Sequence, residues 1–249
     1  MSKFRFSCRE EVPALRQLWK QAFGDSDEYL DLFFSRAYAP DRCRILEKSG
    51  IGGAAYWLRC DACGLRLAYV YGVAIREDLQ NQGFGSALME DLRATLKQEG
   101  YDGILLVPGD EGLRRYYEKL GYRTISWQDR FEAEAGHPAQ MKRLTTEQYA
   151  AFRSIFSLRG YVAQEKENLA LLEGMADFYL GEDFLVAVAA GEGECLELLG
   201  NRAAAPGITA ALGLETCRFR AVGGEFPYAM GLSLGKDLPE ELYFGFGFD

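Results

Sequence analysis

Gly83 and Gly85, in the run Gln80-Asn81-Gln82-Gly83-Phe84-Gly85-Ser86, are the residues whose type and spacing could bind an anion. Glycine lacks a Cβ, so its backbone reaches conformations closed to other residues and lets a ligand approach the amide N–H groups. From there Phe84, Leu88, Leu92 and Leu96 recur every four residues, which is one face of an amphipathic helix and puts the glycines at its start. A helix start carries unpaired N–H groups and a partial positive charge. Both favour a phosphate or pyrophosphate.

The elements around this loop must position it. Upstream, Leu67-Ala68-Tyr69-Val70-Tyr71-Gly72-Val73-Ala74-Ile75 reads as an apolar strand, in which Gly72 marks a bulge or the close approach of another backbone. The charged connector Arg76-Glu77-Asp78-Leu79 separates it from the loop, Gly103–Val107 reads as the next strand, and Gly112–Tyr122 follows it. Two other glycine-loop chemistries fail on spacing. The G-x-x-x-x-G-K-[ST] of a P-loop is absent, and a dinucleotide fingerprint would need glycine where Leu88 stands.

What fits is Q-x-x-G-x-G, and with Tyr116-Tyr117-Glu118-Lys119-Leu120-Gly121-Tyr122 downstream the chain resembles the GCN5-related N-acetyltransferase (GNAT) family. The resemblance implies a mixed α/β (α+β) fold, with a mostly antiparallel sheet flanked by helices. It also implies acetyl-CoA as acyl donor. Its pyrophosphate would lie on Gln80, Asn81, Gln82, Gly83, Phe84, Gly85 and Ser86, and its pantetheine arm would run along Val73, Ala74 and Ile75 where two strands splay apart.

Transfer of an acyl group from a thioester to an amine needs an oxyanion donor, a base for the amine proton and an acid for the departing thiolate. The resemblance assigns the acid to Tyr117, and a backbone N–H near Val73 would face the oxyanion. Taken without the resemblance, Tyr116, Tyr117 and Leu120 read as packed residues of a short helix, and Tyr116 stays a core residue in either reading. No carboxylate matches a fixed base motif: Glu77, Asp78, Asp110 and Glu111 all suit capping or solvated roles. The family's asparagine after the fifth strand is replaced here by Pro108-Gly109-Asp110-Glu111. The competing expectation is a non-catalytic acyl-CoA binding or sensing module.

At 249 residues the chain exceeds one such domain, and 48% hydrophobic content with 13% aromatics supplies a core throughout. Small and polar residues at Phe131–Ala139 suit a linker, which divides the chain into residues 1–135, the domain with the acetyl-CoA site, and 136–249. The second part repeats the opening pattern of strand, polar turn and helix at Gln140–Phe152. It also carries a hairpin pattern at Asp183–Gly200, with Gly191-Glu192-Gly193 as its turn, and has no Q-x-x-G-x-G. It reads as a smaller, degenerate GNAT-like α/β domain without a cofactor motif, of the kind that tandem members of the family carry.

From Gly136 onward there are 16 acids against 9 bases, a net charge of −7, while the rest carries 21 against 19. An acidic second half would draw a cationic acceptor, and the amine acceptor is expected to be a small molecule or a peptide, bound in part by Phe23–Tyr38. A chain of net charge −9 with no basic tract is a poor partner for nucleic acid. The six cysteines have no disulfide spacing, which suits a reducing, cytoplasmic setting. Cys60-Asp61-Ala62-Cys63 lacks a second ligand pair and His137 is the sole histidine, so no metal is expected. The opening residues lack a signal-peptide pattern, and no window approaches the roughly 20 apolar residues of a membrane span. The sequence leaves an oligomer open.

Overall fold

The computed structural model describes residues 3–156, 160–164, 167–189, 193–245 and 247. The expected turn at Gly191-Glu192-Gly193 lies, apart from Gly193, outside the described residues. The chain forms two compact units. The first takes the chain up to Cys60, Gly64–Arg123 and Gly231–Leu238; the second takes Asp61–Cys63, Thr124–Met230 and the chain from Pro239.

In the first unit β1 (Lys3–Phe6) leads into α1 (Val12–Phe23) and α2 (Asp27–Arg36). Strands β2 (Cys43–Glu47), β3 (Ile51–Ala62) and β4 (Leu65–Ile75) follow, then α3 (Phe84–Gln98), β5 (Gly103–Leu106), α4 (Glu111–Lys119) and β6 (Arg123–Thr124). Each helix is bounded by local chemistry. Proline stands in the first turn of α1, where a missing N–H costs nothing, and Gly24 ends the helix at φ 75°. Ser26 caps α2 by accepting the Tyr29 N–H at 3.2 Å. Leu88, Leu92 and Leu96 are all fully buried, so the four-residue spacing that predicts α3 is also its packing face. Each such leucine contributes about 2 kcal/mol through the area it removes from water. A salt bridge at 2.7 Å from Arg44 on β2 to Asp91 ties the polar side of α3 to the sheet.

The strand order is β1-β2-β3-β4-β5-β15-β6, where β15 is Met230–Ser233. Pairs β1–β2 and β2–β3 are antiparallel and β4–β5 is parallel. The place between β5 and β6 is therefore filled from far along the chain, in a stretch expected to belong to the second domain. Gly103 permits this, since a Cβ there would lie 2.7 Å from Leu238 and 3.2 Å from the Leu232 carbonyl. The strand is fastened by the Leu234 N–H to Asp102 carbonyl bond at 2.9 Å and by Lys236 to Asp102 at 3.1 Å.

The second unit holds β7 (Trp127–Glu134), β8 (Lys142–Leu144), α5 (Thr146–Phe156), β9 (Ala163–Gln164), α6 (Glu167–Leu172) and β10 (Ala176–Leu180). It continues with β11 (Phe184–Ala189), β12 (Glu194–Gly200), α7 (Ala205–Ala211), β13 (Thr216–Val222) and β14 (Phe226–Pro227). Its sheet runs β14-β7-β13-β12-β11-β10-β8. The stretch read as a linker is thus a strand up to Glu134, paired with β13 from Gln128↔Val222 to Glu134↔Thr216. Alternation in β7 explains the misreading: Glu132 and Glu134 share one face, while Phe131 and Ala133 on the other pack on the core around Phe219 and Ile208.

The run β8-β10-β11-β12-β13, with β12–β13 parallel and α7 between those two strands, repeats the run β1-β2-β3-β4-β5, in which α3 lies between the parallel strands β4 and β5. Inside this unit Arg153 and Glu197 form a buried pair at 2.9 Å, with side chains 2% and 0% exposed. Tyr149 donates to the same carboxylate, and Arg153 donates to the Val162 and Phe244 carbonyls. Every strong polar group in this cluster is thereby answered, which a buried charge requires.

Candidate active site

Strand β4 carries the first half of the site. It pairs with β5 only through Leu67↔Gly103, Ala68↔Ile104 and Tyr69↔Leu105, then runs on alone on that side to Ile75. On its other side the Arg76 N–H donates to Gly52 on β3 at 2.9 Å. Strand groups alternate in direction, so Val73 and Ile75 turn their backbone groups toward the side β5 has left, and Ala74 turns toward β3. The Ala74 carbonyl accordingly lies 3.1 Å from where a Gly53 Cβ would be.

Gly72 makes the bend. Its φ is +73°, a left-handed conformation that costs side-chain-bearing residues about 1 kcal/mol or more, and a Cβ would lie 2.8 Å from the Trp19 ring. Strain and overpacking act together there, so Gly72→Ala is expected to lower stability by about 2–4 kcal/mol, read as a shift in urea midpoint at unchanged slope.

The loop from Gln80 to Ser86 forms the second half. Gln80 Nε2 donates to the Ile75 carbonyl at 3.0 Å, which joins the loop to the free end of β4. Gln82 Nε2 donates to the Asp78 carbonyl at 2.7 Å, and Asn81 takes a left-handed φ of 58°. Gly83 is the N-cap of α3 at φ 82°, with no side-chain cap, and a Cβ there would meet nothing within 4 Å. The first helical pairing is Ala87 N–H to the Gly83 carbonyl at 3.0 Å, so the N–H groups just before it have no partner within the helix. The space beside Gly83 is open, while a Cβ at Gly85 would lie 3.4 Å from the Tyr116 hydroxyl.

No charged residue lies within Gln80–Ser86. Lys48 stands beside it, with its ammonium 4.2 Å from the centre of the Phe84 ring. Asp78 is held below the usual carboxylate range by its hydrogen bond from Arg76, at 2.6 Å, so it is not an unpaired anion beside the loop.

Helix α4 brings two tyrosines with different duties. Adjacent helical residues point about 100° apart and cannot share a face. Tyr117 is buried at 8% exposure between Tyr116 and Tyr122, with ring centres 5.1 and 5.6 Å away, and burial pushes its phenol well above the usual tyrosine range. Tyr116 reaches instead to the start of α3, where its hydroxyl meets Ser86 Oγ at 3.2 Å. The sequence reading of Tyr116 as a core residue is corrected by this contact. The four carboxylates considered as bases have local roles: Asp110 caps α4 at 2.7 Å, Glu111 pairs with Arg114 at 3.6 Å, Asp78 pairs with Arg76, and Glu77 accepts from Gln21 at 3.4 Å.

Beside the Gly72 bend lies a cluster of aromatic rings, in which Tyr29 and Phe33 fall within the expected region Phe23–Tyr38 and Trp19, Tyr56 and Tyr71 fall outside it. Trp19 packs on Phe33, Tyr56 and Tyr71 at centroid distances of 4.6, 5.0 and 5.6 Å, and Tyr29 hydrogen-bonds to Tyr71. Asp25, in the α1–α2 turn, accepts the Trp19 indole N–H at 2.7 Å. No sequence motif pointed to Asp25 or Lys48. Among the described residues no group of three or more His, Cys, Asp or Glu could hold a metal ion, and no helix is long and apolar enough to cross a membrane.

The first unit is thus a mixed-sheet α/β domain in which a parallel strand pair parts at its end beside a glycine-led helix. Residues 12–122 match the family described as Acetyltransferase (GNAT) family. Solved structures repeat the fold across both units. A GCN5-related N-acetyltransferase from Kribbella flavida matches at 17% identity and TM-score 0.69, over 94% of this chain and 71% of its own. One from Anabaena variabilis ATCC 29413 matches at 12% and 0.71, over 94% and 73%. Eis1 from Mycobacterium abscessus matches at 14% and 0.68, over 94% and 74%. No curated protein sequence matches the chain.

Proposed function

We propose that the first unit is an acetyl-CoA-dependent N-acetyltransferase, which passes the acetyl group directly to a primary amine in a ternary complex. The observation that carries this reading is the open N-terminus of α3 at Gly83, joined by Gln80 to the unpaired end of β4. The free amides from Gly83 to Ser86 bind the pyrophosphate, with Lys48 adding positive charge nearby. Val73 and Ile75 pair with the pantetheine amides, and the Val73 N–H faces the developing oxyanion. The neutral amine attacks the thioester carbonyl, Tyr117 gives its proton to the departing thiolate as the tetrahedral intermediate collapses, and the proton lost by the attacking nitrogen passes to water, from which the phenol is restored. A phenol kept neutral by burial is available for that donation at neutral pH.

The repeated strand order leads us to read the second unit as a diverged copy of the first. Without Q-x-x-G-x-G it is assigned no cofactor. Calorimetric titration with acetyl-CoA and CoA, followed by thiol release against a panel of amines, tests the whole reading. Binding with turnover is expected. Binding without turnover on any amine would favour an acyl-CoA sensor, and no binding would refute the placement of the loop.

A further inference from the structure

The half-buried carboxylates of the first unit are almost all matched by a cation: Glu11 by Arg5 at 2.6 Å, Asp91 by Arg44 at 2.7 Å and Asp102 by Lys236 at 3.1 Å. Asp25 differs. One of its oxygens accepts the Trp19 indole N–H at 2.7 Å, and among the described residues no cation pairs with it. A carboxylate in aromatic surroundings without a cation is a site for one from outside.

Its location says which cation. The Trp19 indole that binds Asp25 through its nitrogen touches Gly72 with the far edge of the same ring, since Cη2 lies 2.8 Å from where a Gly72 Cβ would be. Asp25 therefore stands one indole away from the bend of β4, where the reacting carbonyl lies under the proposed function. That is too far back to touch the attacking nitrogen. It is the right place for a second positive group on the same acceptor. The Tyr29 and Tyr71 hydroxyls near it bond to each other, and burial keeps both phenols protonated, so neither brings a competing charge.

We propose that Asp25 is a positioning residue that pairs with a second ammonium of the acceptor, so that the substrate class is a diamine or longer polyamine and not a monoamine. The inference rests on the acetyltransferase reading above and adds the acceptor to it. The Asp25 carboxylate fixes the distal nitrogen, and the other amine is thereby presented at the β4 bend.

The test compares 1,4-diaminobutane, 1,5-diaminopentane and spermidine with butylamine, in wild type and Asp25→Asn, at saturating acetyl-CoA. Asparagine keeps an oxygen for the Trp19 N–H and removes only the charge; an unchanged thermal midpoint verifies the fold. In wild type at least one diamine or polyamine is expected to exceed butylamine in kcat/KM by about tenfold or more, with KM rising as salt screens the pair. Asp25→Asn is expected to raise that KM about tenfold at nearly constant kcat, while butylamine kinetics and acetyl-CoA affinity stay unchanged. A wild-type enzyme that prefers butylamine, or that binds acetyl-CoA yet acetylates none of the polyamines, overturns the inference and leaves the acetyltransferase reading standing. A KM for polyamines that ignores Asp25→Asn overturns it equally. Failure of wild type to bind acetyl-CoA overturns the underlying reading, and this inference with it.

Discussion

Gly83→Glu is expected to abolish measurable acetyl-CoA binding, a loss of about a thousandfold or more. The N-cap of α3 is held at φ 82° with open space around its Cβ position, and the amides of the first turn have no partner within the helix. A glutamate there brings a carboxylate against the pyrophosphate. At about 4 Å, with the screening typical of a protein surface, that repulsion is about 4 kcal/mol. A thousandfold change corresponds to about 4 kcal/mol. The protein should still fold, because a Cβ at this position meets no atom within 4 Å. Gly83→Asn is the control: asparagine tolerates the conformation and carries no charge, so calorimetry should record only a few-fold loss.

Tyr117→Phe is expected to lower kcat by about 10²–10³-fold while leaving the dissociation constant for acetyl-CoA nearly unchanged, as removal of a general acid does. Single-turnover thiol release against a fixed amine checks it, and an unchanged rate would remove Tyr117 from the mechanism. The pH dependence follows from the direction of its shift. Burial raises the phenol above its usual value of about 10, so the acid stays loaded through neutral and mildly alkaline pH. Wild-type kcat should show no decline assignable to Tyr117 up to about pH 10. Tyr116→Phe separates the two rings, for it removes the contact with Ser86 and should weaken cofactor binding modestly with kcat near wild type.

The parts of this molecule that the sequence reveals are those fixed by local rules. Leu88, Leu92 and Leu96 announce α3 because a helix repeats every 3.6 residues, and Gly83 announces its start because few other residues adopt that backbone. Gly72 is legible as a break in a strand for the same reason, although its partner, Trp19, is not. What stays hidden is set by tertiary placement. Tyr116 and Tyr117 are indistinguishable by type, and only the direction each takes off α4 sends one to Ser86 and buries the other. Asp25 is one acid among 37 and becomes distinctive only when its neighbours prove to be rings and not cations. The end of β7, residues 131–134, reads as a linker because polar alternation on one face of a sheet resembles a solvated connector until its core face is seen. The family motifs lie in the first unit, so the second could be read only by pattern.

The place of β15 has a consequence for how the molecule could be divided. A fragment ending at residue 135 would keep the glycine loop and both tyrosines, yet it would leave an empty slot between β5 and β6, with Gly103 exposed along it. The sheet of the first unit is therefore completed by a strand from beyond residue 135. Its last strand emerges only after residues 124–229 of the second unit have been synthesised, so completion of the first sheet must await most of the second unit.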